Sequence, residues 1–109
     1  MTPETRKTDL TANQGQLVAK MQWLNFGHID GLHFLNGDPL FEPPPRIIRE
    51  FKFVRENGSR PEAAKADFAL KAEVIDLFAQ LEALGNGVVT RLEVKHGIPF
   101  RMIIEEDLA

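Results

Sequence analysis

The chain repeats itself. Shifted by sixty residues, positions 10–41 lie over 70–101 without a gap, and nine pairs are identical: Leu10/Leu70, Ala12/Ala72, Leu17/Leu77, Ala19/Ala79, Leu24/Leu84, Gly27/Gly87, Leu32/Leu92, Gly37/Gly97 and Pro39/Pro99. Average residue usage would give roughly two such identities in a window this long. The glycine and proline pairs weigh most, because they mark backbone geometry rather than hydrophobicity. A period of this kind has to be read before anything else, since it fixes what one unit must look like. The expectation is an α+β fold made of two tandem α-β-β repeats, the first about 10–54 and the second about 61–106.

The second copy shows the unit most clearly. Leu70, Val74, Leu77, Leu81 and Leu84 step by three and four residues, one face of a helix, and Ile75 and Phe78 widen that face. Gly85-Asn86-Gly87 ends the helix with residues that tolerate positive φ. Val88, Thr90, Leu92 and Val94 then alternate with Val89, Arg91, Glu93 and Lys95, which predicts a half-buried strand with the first set inward. His96-Gly97 makes a tight turn. The return strand alternates Phe100, Met102 and Ile104 with Arg101, Ile103 and Glu105.

The first copy follows the same plan. Leu17, Met21 and Leu24 form the helix face, Gly27 breaks it, Leu32 and Phe34 point inward, and Asn36-Gly37 is a hairpin turn. After Pro39, the insertion Glu42-Pro43-Pro44-Pro45 must bulge from the sheet, because prolines donate no ladder hydrogen bonds. A strand running roughly Arg46 to Val54 follows, then a polar link from Arg55 to Arg60. Residues 1–12 are expected to be a disordered arm and 13–109 a single domain. The simplest assembly is one four-stranded antiparallel sheet with both helices on one face, related by a pseudo-twofold axis. Val89 and Ile103 on the opposite face suggest partial cover by a partner subunit.

Composition narrows function mainly by exclusion. A net charge of −3 and a pI near 5.6 give no global field toward nucleic acid or anionic membrane. With no cysteine, disulfides, thiolate nucleophiles and cysteine-based zinc sites are out. No apolar run reaches the ~20 residues needed to cross a bilayer, and the first residues do not read as a signal peptide, so a cytoplasmic protein is expected. Ser59 is the only serine and lacks G-x-S-x-G surroundings. Gly85-Asn86-Gly87 follows a helix instead of preceding one, the wrong order for phosphate binding. The acidic groups Glu50, Glu56 and Glu105-Glu106-Asp107 show no placement for paired acid–base chemistry. The expectation is therefore no enzyme, no cofactor and no metal. His28 and His33, at odd and even strand positions, should face opposite ways, and His96 sits in a turn.

Two features remain as candidate interaction sites. Arg46, Arg49, Lys52, Arg55 and Arg60 form a basic stretch against Glu50 and Glu56, with Phe51 and Phe53 interleaved. That pattern fits single-stranded nucleic-acid binding, although alternation puts both rings on the side of Ile47 and reads more simply as core. Trp23 falls beside the apolar face of the first helix, either as an interface anchor or as a partly buried edge. The Pro43–Pro45 run reads as a stiff corner, with a polyproline ligand for a partner groove as the alternative.

The run Leu24-Asn25-Phe26-Gly27-His28-Ile29 through Asn36-Gly37, followed by an apolar strand, resembles the small bacterial YezD-like proteins. The resemblance covers one helix–hairpin unit and implies a duplicated small unit of unknown role, with no functional residues to carry over. The functional expectation is a non-enzymatic binding module acting on a protein partner or as a homodimer. The alternatives are a nucleic-acid-binding accessory protein using 46–60, and a small-ligand or cleft protein using His28, His33 or His96.

Overall fold

Helix boundaries follow directly from local chemistry. The computed structural model describes residues 10–53 and 71–106. Helix α1 spans Ala12–Leu24 and opens on a reciprocal cap: the Gln14 N–H donates to the Thr11 hydroxyl (3.1 Å), and the Thr11 N–H donates to Gln14 Oε1 (3.0 Å). Leu10, three residues ahead of the expected domain start, packs against the core. Helix α2, Ala72–Leu84, lies sixty residues on and has no side-chain cap from Lys71. Each ends on a positive-φ residue, Asn25 (φ 61°) or Gly85 (φ 84°).

Among the described residues there are five strands, three after α1 and two after α2: β1 Gly27–Leu35, β2 Asp38–Leu40, β3 Arg46–Arg49, β4 Gly87–Lys95 and β5 Ile98–Ile103. They form one antiparallel sheet in the order β2-β1-β4-β5, with β3 also paired to β1. Because β4 takes one edge of β1, β2 (opposite 33–35) and β3 (opposite 27–30) share the other edge in series. The proline insertion at 43–45 lies between them, where the ladder is interrupted.

The central β1–β4 ladder is its own image under the sixty-residue shift. Gly27 pairs with Val94 and Phe34 with Gly87; His28 pairs with Glu93 and His33 with Val88. In each case the shift exchanges one pair for the other. The helix ends obey the same exchange: the Gly37 N–H donates to the Gly85 carbonyl (2.8 Å), and the Gly97 N–H donates to the Asn25 carbonyl (3.0 Å). Each hairpin tip is thus held by the helix end of the other half. The two halves interlock.

The core is the slab between helices and sheet: Leu17, Val18, Met21 and Leu24 from α1, Val74, Leu77, Phe78 and Leu81 from α2, and Ile29, Leu32, Phe34, Val89, Leu92 and Val94 from the sheet. Simple alternation misplaces three residues here. Val89 is fully buried beneath the helices, while Val88 and Thr90 are exposed. In both central strands two successive residues look away from the core, Asp30-Gly31 and Thr90-Arg91, and this moves the alternation by one. The register passes from Asp30–Arg91 to Leu32–Val89, and Gly31, at φ 74°, sits in the gap. Val89 therefore gives no sign of a covered outer face.

On the return strand, Phe100 was expected inward and is exposed. The register shifts by one at Glu93/Val94, opposite Arg101 and Pro99, leaving Phe100 as the extra residue of a bulge. Strand β3 stops at Arg49, short of the expected Val54. Arg49 pairs with Gly27, the first residue of β1, and the Glu50 N–H donates to the Phe26 carbonyl at 2.8 Å. Beyond that point the facing chain turns into the helix cap and offers no further ladder. Val54, Arg55 and Arg60 lie outside the described residues.

Candidate interaction surface

The solvent-facing side of α1 carries the largest exposed aromatic group of the described chain. Trp23 lies away from the buried Leu17–Met21–Leu24 face and keeps 57% of its surface exposed. Its ring is not isolated. The Arg49 guanidinium, at the end of β3, stands 4.4 Å from the centre of the Trp23 ring and 4.9 Å from that of Phe51. A cation held against two rings fixes the orientation of all three groups.

Ile47, two residues back along β3 and 38% exposed, borders the same surface, and a shallow groove runs between it and Gln16, Ala19, Lys20 and Trp23. Lys20 also lies 5.2 Å over the Phe41 ring. The groove is apolar in its floor and basic at its rim. Phe51 and Phe53 were expected to join the core with Ile47; instead they are 65% and 98% exposed, because the strand has ended before them. Lys52 turns the other way and sits 4.2 Å over the buried Phe26 ring, which also meets His96 edge-on at 4.8 Å. Arg46 faces the open side of the sheet opposite Asp30. The structure therefore brings Trp23 and Arg49 together and places Arg46 and Lys52 elsewhere.

The open sheet face is a second surface of different character. The ladder aligns Ile48, His28, Glu93 and Arg101 in one row, and Arg46, Asp30, Arg91 and Ile103 in the next. Arg91 grips Asp30 with two bonds (3.0 and 3.2 Å), His28 Nδ1 lies 3.0 Å from the same carboxylate, and Arg101 donates to Glu93 at 2.7 Å. Partial burial pushes the Asp30 carboxyl up, but the bonds and charges of Arg91 and His28 outweigh it and hold its pKa below the ordinary value. The bond from Asp30 raises the pKa of Arg91. Charges of opposite sign are thus spent on one another across this face.

Sequence reasoning missed the Asp30–Arg91 pair. The signal lay in the sixty-residue self-similarity, under which a symmetric register sets residue 30 against residue 91, and in Gly31 as an interruption inside a strand. The same interruption puts His28 and His33 on one face, about 16 Å apart at the usual strand rise. Among the described residues no three His, Asp or Glu side chains converge as a metal site would require. No described helix is long and apolar enough to cross a membrane. Compared with protein-family profiles, with curated protein sequences and with solved structures, the chain matches none.

Proposed function

We propose that the chain is a non-enzymatic binding module of the cytoplasm that engages a protein partner through the Trp23–Arg49–Phe51 surface. One observation carries this reading: an exposed tryptophan, oriented by a stacked arginine, beside an apolar groove. Tryptophan and arginine dominate the energetics of protein interfaces, and a ring already held in place loses less freedom on binding. The counterpart of Trp23 under the sixty-residue shift is Ala83, so only the first half carries this surface. We take the two halves to be a duplicated helix–hairpin unit, of the kind that the YezD-like resemblance implies. One half kept the common scaffold chemistry while the other acquired the rings.

The runner-up is single-stranded nucleic acid, which the exposed Phe51 and Phe53 beside Arg49 favour. The open face, with its shallow concavity around His28 and Arg91, is where the small-ligand alternative would have to act.

Trp23 is the only tryptophan, and there is no tyrosine, so intrinsic emission reports this surface alone. Emission is to be followed while the protein is concentrated and, separately, while single-stranded oligonucleotide is added at low and high salt. A blue shift with protein concentration, absent with oligonucleotide, supports the proposal. Salt-sensitive quenching by oligonucleotide alone moves the function to nucleic acid. Emission indifferent to both removes the surface from consideration.

A further inference from the structure

The partner's chemistry can be narrowed further, resting on that reading of the Trp23 surface. The groove floor is apolar, formed by Ala19, Trp23 and Ile47, and its charged neighbours Lys20 and Arg49 are both cations. It calls for an apolar segment edged with carboxylates. The chain carries one. Helix α1 contains Lys20 and no acidic residue, whereas α2 contains Glu73, Asp76 and Glu82 and no basic residue. All three carboxylates are exposed, and Ala72, Ile75 (37%) and Ala79 expose an apolar strip on one side of the same helix, flanked by Asp76 and Glu82.

Both helices lie on one side of the sheet and are exchanged by the pseudo-twofold. Two copies meeting helix layer to helix layer about a true twofold parallel to the helices would set α1 of each against α2 of the other. Both complementary contacts then form at once, and the interface closes on itself.

We infer that the groove between α1 and β3 receives helix α2 of a second copy of this chain, giving a twofold dimer joined through its helix layers. The opposed charges steer and align the contact, and Trp23 anchors it.

The test is sedimentation equilibrium of three proteins: the wild type, an all-acidic variant (Lys20→Glu with Arg49→Glu) and an all-basic variant (Glu73→Lys with Asp76→Lys). Arg49, Glu73 and Asp76 are exposed and Lys20 is half-buried, and circular dichroism verifies that each variant is folded. The wild type should dimerise, with its association constant falling about tenfold between low and high salt. Each variant alone should be a monomer at the same concentration. An equimolar mixture should associate again, because in the mixed dimer one contact is native and the other is reversed but complementary.

A wild type monomeric at every concentration, a variant that dimerises alone, or a mixture that stays monomeric would each overturn the inference. Failure here is separable from failure of the surface itself. If Trp23→Ala abolishes oligonucleotide binding by a monomeric wild type, the surface stands and the second copy is the wrong occupant.

Discussion

Replacing Gly37 by alanine tests the interlock between the two halves. Gly37 sits at φ 77° in the β1–β2 turn, and its N–H donates to the Gly85 carbonyl at the end of α2. An alanine Cβ there would lie 2.7 Å from the Glu82 Cα, a main-chain atom of a packed helix that has no flexible end to move. Three effects add. Positive φ costs alanine about 1 kcal/mol relative to glycine. Retreat of the hairpin tip to relieve the contact weakens a hydrogen bond worth about 1 kcal/mol. Loosened packing where the turn meets α2 adds up to about 1 kcal/mol.

The expected total is about 2–3 kcal/mol, a shift of about 1–2 M in the urea midpoint for a domain of this size. Gly31→Ala is the control. Gly31 has nearly the same φ, 74°, but nothing lies within 4 Å of its added Cβ, so only the conformational cost of about 1 kcal/mol applies. Urea unfolding followed by far-ultraviolet circular dichroism reads both variants. Equal midpoints would refute the reasoning, because they would mean the hairpin tip is not pressed against α2.

Three further outcomes follow from particular contacts. Thr11→Ala removes the α1 cap and the hydroxyl bond to Asp38 Oδ1 (2.6 Å), and should cost about 1–2 kcal/mol, seen as a melting temperature lower by several degrees. The lowered Asp30 pKa means that folding favours its ionised form. The contribution is present above the unfolded-state pKa and lost as pH falls through the folded one, so Asp30→Asn should flatten the loss of wild-type stability between about pH 5 and pH 2 in thermal melts. Trp23→Ala should change the urea midpoint little, since the ring is largely exposed, while abolishing concentration-dependent sedimentation; a large loss of stability would instead make Trp23 a packing residue.

Where the chain's own chemistry determines the backbone, the sequence was legible. The helices and both hairpin turns follow from leucine spacing, from Asn36-Gly37 and His96-Gly97, and from the glycines after each helix. What escaped depends on partners distant in sequence. The phase of β1 and β4 shifts at Gly31 and Thr90 because the two strands meet there across the pseudo-twofold, and neither strand read alone shows it. Strand β3 ends at Arg49 because β1 begins at Gly27, a fact about the partner and not about Arg46–Val54 itself. That early ending brings Phe51 and Phe53 to the surface and lets Arg49 fold back onto Trp23. Both residues were visible as candidates; their contact was not, since it joins a helix to a strand end twenty-six residues away.

Photocross-linking from position 19 tests the central claim most directly. Ala19 is exposed and lines the groove next to Trp23, so a diazirine side chain there probes the proposed interface with the tryptophan kept. An equal mixture of isotopically light and heavy protein separates links between chains from links within one. The account predicts inter-chain links concentrated in α2, at 72–84. Links confined to one chain, or inter-chain links landing on the open face of β4 and β5, would contradict it.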